Sequence, residues 1–166
     1  MYTKIIPYEL YCDGSCKSMG DMTFGGWSFI LVQDGKIIAK NFGNEANTTN
    51  QRMELTAAIK GIEVAQQFKK PDDLLRIYSD SAYLINCCNK YWYKSWLANG
   101  WRTAAKKPVL NDDLWRELIP YFERLDYEFY KVEGHAGHTL NEMCDKYAQD
   151  AAQRLKENWK GYDKEK

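Results

Sequence analysis

The hydrophobic period of this chain changes near residue 50, and that change limits the folds open to it. Before it, residues 5–12, 26–32 and 36–42 read as three strands, the last two joined at Asp34-Gly35, a dipeptide suited to a tight hairpin. After it, Leu55, Ala58, Ile59, Ile62 and Ala65 recur at helical spacing, with Thr48, Thr49 and Asn50 available as caps and Pro71 beyond the end, which predicts a helix over Asn50–Phe68. A β-rich run at 74–79 follows, then a helix at 81–88 capped from a Ser-Asp-Ser turn. A helix at 111–125, a strand at 127–132 and a helix at 141–155 complete the chain. Strands that alternate with helices pair in parallel, because a helix carries the chain back across the sheet. The expectation is an α/β fold in one domain over residues 1–155, with an antiparallel opening and then parallel strands, and a charged, frayed tail at 156–166.

Two aspartates follow strand-like runs, Asp13 in YCDGS and Asp80 in YSDSA. Asp-Gly is ordinarily a turn and nothing more. In an open sheet, however, ligands bind outside the carboxyl ends of parallel strands. If these two strands are neighbours their carboxylates converge, and like charges held that close need a cation or a shifted pKa. Glu54 lies about one turn into the first long helix and taken alone reads as a solvated surface residue; Asp145 lies one turn after Asn141 on the last helix. Together the four acids make an oxygen-rich set of the kind Mg²⁺ prefers. Two ions about 4 Å apart can activate a water and stabilise the leaving oxygen of a phosphodiester.

The two histidines, His135 and His138, sit in VEGHAGH among Gly134 and Gly137. The flanking glycines predict conformational freedom that would let His135 carry a proton near neutral pH, and a turn histidine with satisfied hydrogen bonds is the structural alternative. A zinc site from His135, His138 and Cys144 lacks the paired C-x-x-C that would supply further ligands.

Charge balances at 23 basic against 23 acidic residues, so no global field attracts nucleic acid. Residues 90–107, KYWYKSWLANGWRTAAKK, nevertheless hold five basic residues, five aromatics and no acid. The tryptophans there suit packing and the lysines suit phosphate positioning. Five cysteines, an odd number with no C-x-x-C, fit reduced thiols in a soluble, cytoplasmic protein, and no apolar run approaches the roughly 20 residues of a membrane span.

The ordered motifs DGS, RMELTAAI, YSDSAY, GWRTAAKKPVLNDDLW and EGHAGHTLNEMCDKYA closely resemble type 1 ribonuclease H, from about Tyr8 to Ala152. The resemblance implies the ribonuclease H-like fold, with a five-stranded mixed sheet and flanking helices. It implies cleavage of the RNA strand of RNA–DNA hybrids by two Mg²⁺ ions, with Mn²⁺ as a substitute. Asp13, Glu54, Asp80 and Asp145 would be the metal ligands and His135 a helper in proton transfer or product release. Substrate contacts are implied for Asn50 and Gln51 in the minor groove and for Thr49 and the backbone near Cys16. Trp96, Trp101, Lys106, Lys107 and Asn141 are the further substrate-binding candidates. Only twelve residues precede Asp13, so no extra amino-terminal hybrid-binding domain is expected, and the protein should act as a monomer with no obligate protein partner.

This sequence departs from the family pattern in three places. KSMGDMTFGG after DGSC reads as a longer loop without the usual asparagine; Ala82 stands where a glutamine is often found; and Leu97-Ala98-Asn99 replaces a basic cluster. The rival readings are a catalytically silent hybrid-binding module and a related nuclease of the same superfamily, such as a resolvase or integrase core. The first gains nothing from clustering negative charge beside phosphates.

Overall fold

The computed structural model describes residues 6–124, 126–132 and 139–164. Five strands form one sheet: β1 (Tyr8–Met19), β2 (Met22–Gln33), β3 (Lys36–Ala46), β4 (Leu75–Ser79) and β5 (Tyr127–Lys131), in the order β3-β2-β1-β4-β5. The first three are antiparallel and the last two are parallel to β1, as expected. Five helices accompany them: α1 (Asn50–Phe68), α2 (Ala82–Asn89), α3 (Trp92–Ala98), α4 (Asp112–Phe122) and α5 (Thr139–Lys164).

The opening hairpin differs from the sequence expectation. β1 does not stop at Cys12 but runs to Met19, and β2 begins at Met22, so the supposed loop KSMGDMTFGG is a continuous hairpin turning at Gly20-Asp21. Asp13 is therefore inside a strand. It nonetheless stands at a strand end of another kind: parallel pairing of β1 with β4 finishes at Tyr11↔Tyr78, two residues before it.

α1 forms where its apolar spacing predicts. The Thr49 hydroxyl accepts the Arg52 N–H at 3.2 Å to cap it, and Leu55, Ile59 and Ile62 are buried against the sheet, each such side chain contributing about 1.5–3 kcal/mol of burial. With α2 and α4 it encloses the main core on one face, around Leu10, Phe29, Ile77 and Trp115. α5 covers β1, β2 and β3 from the other face, over a smaller cluster of Ile30, Val32 and Cys144. The expected end of this helix at Leu155 is corrected: it continues to Lys164, and the Trp159 ring lies 5.8 Å from that of Phe24. All five cysteines are free thiols, and among the described residues no helix is long and apolar enough to cross a membrane.

Candidate active site

Two close backbone approaches assemble the acids. A Cβ on Gly14 would lie 2.4 Å from the Glu54 nitrogen, so only glycine lets the first turns of α1 rest on β1 beside Asp13. A Cβ on Gly26 would lie 1.9 Å from the Ala148 carbonyl oxygen, so α5, which carries Asp145, seats directly on β2. Cys144 adds a lateral tie through its Sγ, which donates to the Tyr11 carbonyl at 3.3 Å.

Asp13 is 2 % exposed. Its Oδ1 accepts the Gly14 N–H at 2.8 Å, while Oδ2 is buried and has no hydrogen-bond partner among the described residues. Burial, the Asp80 charge and the nearby Asp145 carboxylate push its carboxyl up to about 9, against the opposing effect of the Gly14 N–H. Glu54 is half-buried on α1, and burial and Asp80 raise it, opposed by the Ser81 hydroxyl, which donates to Oε2 at 2.5 Å. Asp80 follows β4, and Asp145 Oδ2 accepts from Gln149 Nε2 at 2.9 Å. Asp13 thus interacts with both Asp80 and Asp145, and Glu54 with Asp80.

A hard divalent cation fits this set. Every donor is a carboxylate oxygen, the Asp13 Oδ2 is an unpaired buried acceptor, and mutual repulsion is what positive charge relieves. Among the described residues no group of three or more His, Cys, Asp and Glu side chains is closed enough to cage an ion. Mg²⁺ does not require such a cage, since it binds through one or two carboxylates and keeps waters.

The substrate-contact candidates fall into two groups. Cys16, Thr49, Asn50 and Gln51 gather at the N-terminus of α1: Cys16 Sγ donates to the Thr48 carbonyl at 3.6 Å, Thr49 is the cap, and Asn50 and Gln51 open the helix. Trp96 and Trp101 lie apart, in the 90–107 segment, where they pack together with ring centroids 6.2 Å apart; Trp96 also meets Trp115, and the Arg116 guanidinium covers Trp101. Lys106 and Lys107 are exposed at a turn. α4, which follows this segment, is joined to α1 through Arg52, whose two guanidinium nitrogens reach both Asp113 oxygens at 2.9 and 2.7 Å. Asn141 is 3 % exposed, with a buried Oδ1 lacking a partner among the described residues. His135 lies outside the described residues, as does His138.

Sequence reasoning did not find Ser81 as a partner of Glu54, nor Arg52 as the link to α4. Ser81 is legible as a helix cap, but nothing in the sequence indicates that its hydroxyl meets a carboxylate 27 residues away. A groove of about 310 Å³ lined by Trp27, Asn44, Arg52, Thr56 and Lys60 opens beside α1, and none of the four acids lines it. Burial and charge mark the acid site.

The family model described as RNase H matches residues 7–153. The ribonuclease H of Oleidesulfovibrio alaskensis is 42% identical over 147 residues, covering 88% of this chain and 90% of that protein. The ribonuclease H of Caldicellulosiruptor saccharolyticus is 40% identical over 149 residues, covering 89% and 97%. Among solved structures, LC9-RNase H1, described as a type 1 RNase H with the type 2 active-site motif, matches with a TM-score of 0.76 at 25% identity, over 92% of this chain and 75% of that one. LC11-RNase H1, solved in complex with an RNA/DNA hybrid, shares the fold with a TM-score of 0.67 at 18% identity, over 89% and 98%.

Proposed function

The chain belongs to the ribonuclease H family, and from that premise we propose that it hydrolyses the RNA strand of RNA–DNA hybrids with two divalent ions, leaving 5′-phosphate and 3′-hydroxyl ends. The observation that carries the reading is Asp13: a buried carboxylate pressed by Asp80 and Asp145, with one oxygen unpartnered among the described residues. So costly an arrangement has a purpose where positive charge is to be held.

Asp13, Glu54, Asp80 and Asp145 hold the ions, Mg²⁺ by preference and Mn²⁺ as a substitute. When bound, the ions supply an activated water and charge stabilisation at the leaving oxygen. The Gly14 N–H fixes one oxygen of Asp13 and leaves the other for a ligand. The Ser81 hydroxyl aims Glu54 and offsets part of the upward push that burial and Asp80 exert on its carboxyl. Asn50, Gln51, Thr49 and the Cys16 backbone lie against the minor groove, where 2′-hydroxyls distinguish RNA from DNA. Lys106 and Lys107 take phosphates, with Trp96 and Trp101 holding their segment in shape. His135 carries a proton to or from the cleaved phosphate, and Asn141 supplies a further substrate contact from the start of α5.

The test is Mg²⁺-dependent cleavage of a labelled hybrid beside duplex RNA and duplex DNA, with Asp13→Asn as control. The hybrid alone should be cut, and the variant should bind it without cutting. Equal cutting of all three substrates, or full activity in the variant, overturns the proposal.

A further inference from the structure

On the sheet face that carries α5, the helix packs on β1, β2 and β3, while β4 and β5 keep only half-buried and exposed side chains there. Three tyrosines stand in that uncovered region. Tyr11, Tyr78 and Tyr130 are mutual register partners on β1, β4 and β5. Their rings are stacked, with centroids 4.9 Å apart and planes 12° apart for Tyr11 and Tyr78, and 5.4 Å and 21° for Tyr78 and Tyr130. The row behind them is Glu9, Arg76 and Glu128, with Arg76 Nε 3.7 Å from Glu128.

Side chains two residues apart on a strand share a face. Asp13 therefore follows Tyr11 on this face, and Asp80 is the second residue beyond Tyr78, one past the end of β4. The Tyr11↔Tyr78 pair is also the last parallel pairing of β1 with β4 before the two acids. Beyond it no backbone ladder opposes the repulsion between the carboxylates. Both faces of the central Tyr78 ring are thus occupied by its neighbours. The stack also reaches the third acid, since the Tyr11 carbonyl accepts from Cys144, the neighbour of Asp145.

We propose that the stack of Tyr11, Tyr78 and Tyr130 is a positioning device that holds the strands bearing Asp13 and Asp80 at the separation at which they bind a divalent ion. It does for β4 and β5 what α5 does for the other strands, and it places its stiffest contact beneath the acids. The inference rests on the metal-dependent reading above.

The experiment is calorimetric titration of the full chain with Mg²⁺ alone, beside thermal melts. Tyr78→Leu keeps an apolar cover but removes the stack, and should weaken Mg²⁺ binding about tenfold, the low end of what losing outer support costs a metal ligand. Tyr78→Phe keeps the ring and should bind as the parent does. Phe129→Leu, buried on the opposite face of β5, should melt earlier with unchanged Mg²⁺ affinity. The proposal is overturned if Tyr78→Leu binds Mg²⁺ like the parent, or if Phe129→Leu weakens binding as much. Should Tyr78→Leu not fold, Tyr130→Leu unseats only the outer ring and is judged the same way. A parent protein that binds no Mg²⁺ would instead overturn the functional reading itself.

Discussion

The Ser81 hydroxyl serves two partners at once: it donates to Glu54 Oε2 at 2.5 Å and accepts the Leu84 N–H at 3.1 Å. One side chain thus starts α2 and orients a candidate metal ligand on α1. The two roles separate by substitution. An alanine at an N-cap costs about 1 kcal/mol and a glycine only a few tenths, whereas both remove the donor to Glu54. Ser81→Ala should therefore melt earlier than Ser81→Gly, while the two lose hybrid cleavage alike, by about tenfold. The hydroxyl holds the Glu54 carboxyl down against burial and Asp80, so its loss raises that carboxyl further. The acid limb of the rate profile should move to higher pH in both variants, and a limb that stays in place would remove Ser81 from the site.

Asp13 makes a stability prediction of unusual sign. An ordinary aspartate titrates near ~3.9 when unfolded, and in the fold this one is pushed up to about 9. The folded chain then binds the proton more tightly, so the contribution to stability is full below the unfolded value and is lost as pH rises through the folded one. In chelator, the melting temperature should fall between about pH 5 and 9, with a slope of at most roughly 1.4 kcal/mol per pH unit from this group. Asp13→Asn should flatten that decline. Mg²⁺ at pH 8 should raise the melting temperature of the parent and leave Asp13→Asn nearly unmoved; an equal response from both would place the cation elsewhere.

Gly14 and Gly20 offer a contrast within one hairpin. A methyl on Gly14 meets the backbone of Met53 and Glu54 at 2.4–2.5 Å, which neither side can give without moving α1. Gly14→Ala should cost about 3 kcal/mol, the upper end for overpacking, and abolish cleavage by displacing Glu54. Gly20 has φ +61 with nothing within 4 Å of its virtual Cβ. Gly20→Ala should therefore cost only about 1 kcal/mol of backbone strain and leave cleavage intact. Denaturant melts and hydrolysis rates measured together decide this.

The elements that were legible in the sequence are those whose stability is local. α1 matches its expected bounds because its apolar stripe is bracketed by a cap just before it and a proline just after it. β1 beyond Asp13 was not legible, because Gly14, Ser15, Lys17 and Ser18 carry no apolar alternation and their strand is stabilised by pairing with β2. The second half of α5 was hidden likewise, since its polar run is anchored through Trp159 on Phe24, 135 residues away. The four acids are singled out in the sequence by two strand ends, two helix positions and family resemblance. Their supports are not, because Gly14, Ser81 and the tyrosine stack act through contacts between distant segments.

The segment around α3 gives the last prediction. The tip carries no charge at Leu97, Ala98 and Asn99; Leu97 is 52 % exposed, and Asn99 Nδ2 donates to Ser95 Oγ. Its fold does not depend on those side chains: Trp96, Trp101 and Trp115 pack beneath it, and Arg52 anchors the start of α4 behind it. Charge can therefore be added with little disturbance. Each new cation that reaches a phosphate releases counterions and steepens the fall of log K with log salt by roughly 0.9. Leu97→Lys with Ala98→Lys and Asn99→Arg should tighten hybrid binding at low salt and steepen the slope by up to roughly 2.7, three such contacts, while the catalytic rate at saturation stays the same. Affinities across a salt series are the measurement, and an unchanged slope would show that this tip never meets the duplex.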